Sequence, residues 1–151
     1  MNHLKYQQDL LSAWSKGTPC YYEEDMDYVW LCFDGAIAMR MPIARCAVDF
    51  RRICIEKKNV FSAIYNRAIN DIHRYIVTST IDFTGYIFLD NQNGRVFQKG
   101  CYSKYFGSKD ACHTSGKRDP IIYIDGKNMC SAIVMPVNPA TVPKQYGGER
   151  E

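Results

Sequence analysis

The chain has 151 residues, of which 46% are hydrophobic and 23% charged, the proportions of one average globular domain rather than of a disordered or fibrous chain. Nineteen Lys and Arg against sixteen Asp and Glu leave a net charge of +3, too small for affinity that rests on neutralising many phosphates, so any basic surface is local. No apolar run approaches the roughly 20 residues that cross a bilayer, and the opening residues, with Gln7, Gln8 and Asp9, hold no leader-like apolar core. A cytoplasmic location without membrane association is the expectation.

In chain order, Asn2 is a helix cap ahead of Tyr6, Leu10 and Trp14, spaced by four, with Leu4 and Leu11 beside them and Gly17 as the stop. The stretch TPCYYEEDMDYVWLCFDGAIAMRMP reads as strands, with Asp34-Gly35 as the strongest turn signal. Over residues 36 to 41, Ile37, Met39 and Met41 alternate with Ala36, Ala38 and Arg40, as on a strand of period two. Between residues 44 and 72 the period lengthens. Phe50, Ile53 and Cys54 make one helical stripe, and Phe61, Ile64, Ala68 and Ile72 a second, which predicts two helices. Arg51, Arg52, Lys57, Lys58 and Arg67 around them form either a solvated face or a basic patch.

Strands return with YIVTSTIDF, YIFLD and, after an Asn93-Gly94 turn, RVFQK. A short helix is predicted over residues 101 to 106, and SKDACHTSGKRDP has the composition of an exposed loop. IIYID and MCSAIVMPV close the domain as a hairpin across Asp125-Gly126. Residues 1 to 138 are thus read as one domain and 139 to 151, rich in proline, glycine and charge, as a disordered tail. Helix, strands, helices, strands, short helix, strands is the order of an α+β fold with a largely antiparallel sheet. Each half sets a helix before a strand group, as a duplication would.

The chain contains no phosphate-cradling glycine loop, H-E-x-x-H, G-x-S-x-G or deaminase signature. The seven cysteines form no C-x-x-C pair, so reduced, core-filling thiols are expected, with no metal and no cofactor. Nucleophilic chemistry would require Cys112 or Cys101 to meet His73 across the fold. Glu23, Glu24, Asp25 and Asp27 form an acidic run open to three readings: a polar turn, a cation site, or a mimic of nucleic-acid charge. Twenty aromatic side chains, 13% of the chain, suit strands and equally suit a binding surface. Lys109, Lys117 and Arg118 near Tyr102 and Tyr105 combine cations with aromatics as nucleic-acid contacts do.

The closing DPIIYIDGKNMCSAIVMPV resembles the final hairpin of bacterial DNA polymerase sliding clamps, whose last strand ends in a similar V-M-P-hydrophobic sequence. The opening helix, the pair DYVWLCFDGAIAMRMP and the KYF segment fall where a clamp module places its helices and strand groups. The chain also resembles small proteins carried by phages and integrated elements. These resemblances imply a DNA-clamp-like fold with its helices packed on one side of the sheet, and a single module where a ring is built of six.

They further imply that Ile133, Met135, Pro136 and Val137 match the clamp strand lining a peptide-binding pocket; the other reading of that strand is alternation into the core. Together with Tyr102 and Tyr105 these are the candidate partner contacts. The expected function is that of a non-enzymatic binding protein of a phage or mobile element, docking on a host or element-encoded protein of replication or defence, with homo-oligomers also compatible. The alternative is direct DNA binding through Lys5, Lys16, Lys104, Lys109, Lys117 and Arg118, of which Lys5, Lys16 and Lys104 match the clamp helices.

Overall fold

The computed structural model describes residues 1–33, 37–79, 105–107, 110–115 and 119–135. Helix α1 (His3–Ser15) opens the chain, capped by the Asn2 side chain, which accepts from the Lys5 N–H, and followed by Gly17 at φ +89°. Strands β1 (Tyr21–Asp25), β2 (Tyr28–Cys32) and β3 (Ile37–Pro42) follow. Two 3-10 turns, Ile43–Arg45 and Phe50–Arg52, then lead to the short β4 (Ile55–Glu56), α2 (Phe61–Asn70) and β5 (Ile76–Ser79). Strands β6 (Ala111–Thr114), β7 (Ile121–Asp125) and β8 (Cys130–Val134) complete the order.

Among the described residues the strands form one eight-stranded sheet in the order β4-β1-β2-β3-β8-β7-β6-β5. Every neighbouring pair is antiparallel except β1 with β4. The α+β class and the dominance of antiparallel pairing are as the sequence predicts. Two meanders, β1-β2-β3 and β6-β7-β8, meet where β3 pairs with β8, Ile37 opposite Val134 and Arg40 opposite Ser131.

The placement of the helices corrects the sequence reading. Among the described residues α1 and α2 lie on opposite faces, not on one side. Alternation sorts the strands into two cores: Leu31, Ile37, Met39, Met41, Tyr123 and Val134 pack with Tyr6 and Leu10 of α1, while Trp30, Cys32, Ala38, Ile122 and Ile133 pack with Ala68, Phe61, Ile64 and Tyr65 of α2. The reason lies in the central strands: every residue of β8 is buried, as are Val29, Trp30, Leu31 and Cys32 of β2. Strands apolar at both parities need cover on both faces.

Two further expectations change. The first helical stripe between residues 44 and 72 resolves into 3-10 turns and β4. Phe50 is buried against the α1 face, the Asp49 side chain accepts from the Arg51 N–H, and the Ile55 N–H donates to the Cys20 carbonyl at 2.8 Å, which draws the chain into the sheet. SKDACHTSGKRDP, predicted as a loop, contains β6. Cys112 is fully buried on the α1 face and His113 projects to the other, so polar neighbours hide a period-two pattern. The turns at Asp34-Gly35 and Asn93-Gly94, the strands predicted as YIFLD and RVFQK, most of the short helix over 101 to 106 and the tail from 139 lie outside the described residues.

Buried polar groups fix α1. Gln7 is buried; its Nε2 donates to the Arg45 carbonyl at 3.1 Å and sits 3.2 Å from His3 Nδ1, and its Oε1 accepts from the Ala47 N–H at 2.7 Å. Because Gln7 Nε2 can only donate, His3 Nδ1 accepts and the ring is neutral. Burial, followed by the nearby Arg45, pushes the His3 pKa below its ordinary 6.5, with Asp125 opposing. The unfolded chain therefore takes up the proton more readily, and stability falls as pH drops through about 6.5. A His3→Gln variant is expected to show a smaller loss of melting temperature between pH 7.5 and 5.5 than the wild type. Equal losses would show that His3 does not contribute.

Candidate functional site

The cavities of interest flank α2. That helix forms because Phe61, Ile64, Tyr65, Ala68 and Ile69 fall on one stripe facing the sheet. Its N-terminus is held from outside the helix. Val60 makes no side-chain cap, and the carboxylate of Glu23 on β1 substitutes: Oε1 accepts from the Val60 and Phe61 N–H groups at 2.9 and 2.8 Å, and Oε2 from Ser62 at 3.2 Å. A negative charge at the positive end of the helix satisfies donors that the helix itself leaves unpaired.

One cavity, about 300 Å³, lies beside the first half of α2, lined mainly by apolar groups including Cys32, Ala38, Phe61, Ile64 and Met135, with Tyr21 and Lys57 on its rim. The Lys57 ammonium stands 4.8 Å over the Tyr21 ring. A second, also about 300 Å³, lies beside the last turns of α2 and mixes Ala63, Ile64, Pro120 and Met135 with Arg67, Asp71, Arg74 and Asp119. Arg74 pairs with Asp71 at 2.9 Å, and Asp119 accepts from the Ser115 hydroxyl at 2.8 Å. Ile64 and Met135 belong to both cavities and form the saddle between them. A third, about 290 Å³, lies on the other face between Val29, Ile43, Val48 and Phe50.

The acidic run resolves into separate structural roles. Glu23 caps α2, Glu24 pairs with Arg51 at 3.4 Å, and Asp25 accepts from Trp30 Nε1 at 3.3 Å and Arg40 Nε at 3.1 Å. Arg40 in turn lies 3.7 Å over the Tyr28 ring. Three of the basic residues noted in the sequence are similarly engaged: Arg51 and Arg52 with Asp49, and Lys58 with Glu56. Sequence alone offered no way to see Glu23 as a cap, since its partners lie 37 to 39 residues away.

The predicted contacts divide sharply. Ile133 is buried under α2, paired between Ala38 and Ile122, and it lines the floor of the first cavity together with Met135. Met135, one position beyond β8, is half-buried and lines both cavities. Tyr105 is not a surface contact: it is 4% exposed, its ring meets Tyr6 edge-on at 5.1 Å, and its hydroxyl donates to Asp9 at 2.6 Å. Its neighbour Phe106 stacks on Tyr123 at 3.9 Å, filling the α1 core. Lys5 is half-buried and pairs with Asp9 at 3.2 Å, and Lys16 is exposed at the end of α1. Pro136, Val137, Tyr102, Lys104, Lys109, Lys117 and Arg118 lie outside the described residues.

Among the described residues no three His, Cys, Asp or Glu side chains gather as a metal site, and no helix is long and apolar enough to cross a membrane. Cys112 and His113 face opposite sides of β6 and cannot act as a pair; His113 Nδ1 lies 3.1 Å from the Ile122 carbonyl and donates to it. Burial, with Asp49 beside it, pushes the Cys46 thiol up to about 11, away from a nucleophile's range. Comparison with protein-family profiles, with curated proteins and with solved structures finds no match.

Proposed function

We propose that the chain is a non-enzymatic binding module, of the clamp-like kind carried by phages and mobile elements, that docks on a host or element-encoded protein through the surface beside α2. The observation that supports this reading is the pair of cavities meeting at Ile64 and Met135. The first is mainly apolar with Lys57 at its edge, and the second adds Arg67, Asp71, Arg74 and Asp119 around Ile64 and Met135, the make-up of a surface with an apolar centre and a charged edge. The polar groups nearby are spent on the fold: Glu23 on the α2 N-terminus, Asp25 on Arg40, and the Tyr65 hydroxyl on Ser131 at 3.0 Å. That leaves shape and apolar area to carry recognition. Met, unbranched and polarizable, suits adaptable contact.

The test compares capture from host lysate by the wild type, by Met135→Asp and by Met129→Asp, a control at an exposed position in the β7-β8 turn. A protein held by the wild type and the control but reduced tenfold or more with folded Met135→Asp is the expected result. Equal capture by all three would overturn the reading. Should Met135→Asp fail to fold, Lys57→Glu on the exposed rim answers the same question. Binding to duplex DNA that falls steeply with salt would favour direct nucleic-acid contact instead.

A further inference from the structure

Cys20 and Cys54 each stand one residue before a paired position. Tyr21 of β1 matches Ile55 of β4 in parallel register, and the Ile55 N–H donates to the Cys20 carbonyl at 2.8 Å. Matching positions on neighbouring strands sit about 4.8 Å apart, with side chains on the same face. That spacing falls inside the roughly 4.4–6.8 Å that a disulfide bridges between Cα atoms. The shared face here is the α1 side: Cys20 is buried in that core and Cys54, half-buried, packs against it. Both are free thiols. Cys32, the next cysteine along the chain, belongs to the opposite face.

We propose that Cys20 and Cys54 are a dithiol that a low-molecular-weight disulfide, such as oxidised glutathione, closes into an intramolecular crosslink stapling the edge strand β4 to β1. The more accessible Cys54 thiolate attacks the oxidant, forming a mixed disulfide and releasing one thiol. Cys20 as thiolate then attacks the Cys54 sulfur, forming the Cys20–Cys54 bond and expelling the second thiol. The dithiol loses two electrons, the oxidant's S–S bond is reduced, and the two cysteine protons end on the released thiols.

The fold controls the first step. Burial, with Cys20 nearby, pushes the Cys54 thiol up to about 12, so little thiolate exists at neutral pH while the edge is closed. Strand β4 has two residues, both exposed, and opens by local fluctuation more readily than the central strands. Oxidation then traps the closed edge. The proposal stands independently of the docking reading, because it concerns the other face of β1 and is tested without a partner.

The full chain is incubated with oxidised glutathione at about pH 8 and digested with trypsin without reduction. The expected product links the peptide of residues 53–57 to that of residues 17–40 through Cys20, as fragmentation of the linked pair establishes. The linkage persists in Cys32→Ala and disappears in Cys54→Ser, or in Cys20→Ala if the first variant does not fold. The denaturation midpoint of the oxidised wild type rises and returns on reduction. A stable glutathione adduct on Cys54 without closure, linkage of Cys54 to another cysteine, or no linkage even in dilute urea that frays the edge would each overturn the proposal.

Discussion

Replacing Glu23 with alanine is expected to cost about 3 kcal/mol of folding stability, as a buried charged acceptor serving several donors is lost at once. Glu23 is 3% exposed, yet its carboxylate receives three backbone N–H groups at the start of α2. Alanine leaves those donors without a partner and removes the negative charge from the positive end of the helix. Glu23→Gln keeps the shape and one acceptor oxygen but brings an amide NH₂ against the remaining N–H, so a loss of about 1.5–2 kcal/mol is expected. Urea denaturation gives the total, and amide exchange should quicken most at residues 60 to 62. A loss below about 1 kcal/mol in Glu23→Ala would show that water replaces the cap at little cost.

Trp30→Ala is expected to cost about 3–5 kcal/mol, the range for emptying a large aromatic site in a packed core. Trp30 is fully buried between the sheet and α2, with its ring centroid 5.3 Å from that of Tyr65 and 6.4 Å from that of Phe61. Its Nε1–H also donates to Asp25, which orients Arg40. Removing the indole opens a void beneath α2 and takes one donor from Asp25. Trp30→Phe keeps most of the volume and should cost about half as much. In a Trp14→Phe background, which removes the other, half-exposed tryptophan, Trp30 fluorescence reports this face alone. If Trp30→Ala lost less than about 1 kcal/mol, α2 would not depend on this contact.

The two predictions address one arrangement. Glu23 and Trp30 are cross-strand partners on β1 and β2, on the same face. One holds the start of α2 by charge and the other supports its body by area. Because they sit side by side under one helix, their combined loss is expected to be less than the sum. Damage there also reaches the proposed docking surface, since Phe61 and Ile64 line the first cavity. A useful binding variant therefore changes Met135 or Lys57 and leaves these two intact.

Local rules of sequence reach as far as elements whose signals are local. Asn2 and Gly17 bound α1; Ile37, Met39 and Met41 alternate on β3; and Phe61, Ile64 and Ala68 mark α2, because caps and periodicity act within a few residues. The closing hairpin of β7 and β8 was legible in the same way. The turn between β1 and β2 was not, for its positive φ falls on Met26 rather than on Gly or Asn. Nor was β4, whose two residues pair only because β1 is already present beside them.

The amino-acid sequence by itself determined an α+β domain, a largely antiparallel sheet and the positions of its main helices. Tertiary structure decided which face each helix covers and what each charged side chain does. It turned Glu23 from one of four acids in a run into a helix cap, and placed Tyr105 in the core while setting buried Ile133 and half-buried Met135 along one cavity. The physical reason is distance along the chain. Periodicity is settled within a turn or a strand, whereas burial and pairing depend on partners tens of residues away, and the same Glu, Tyr or Ile is core or surface according to what packs upon it.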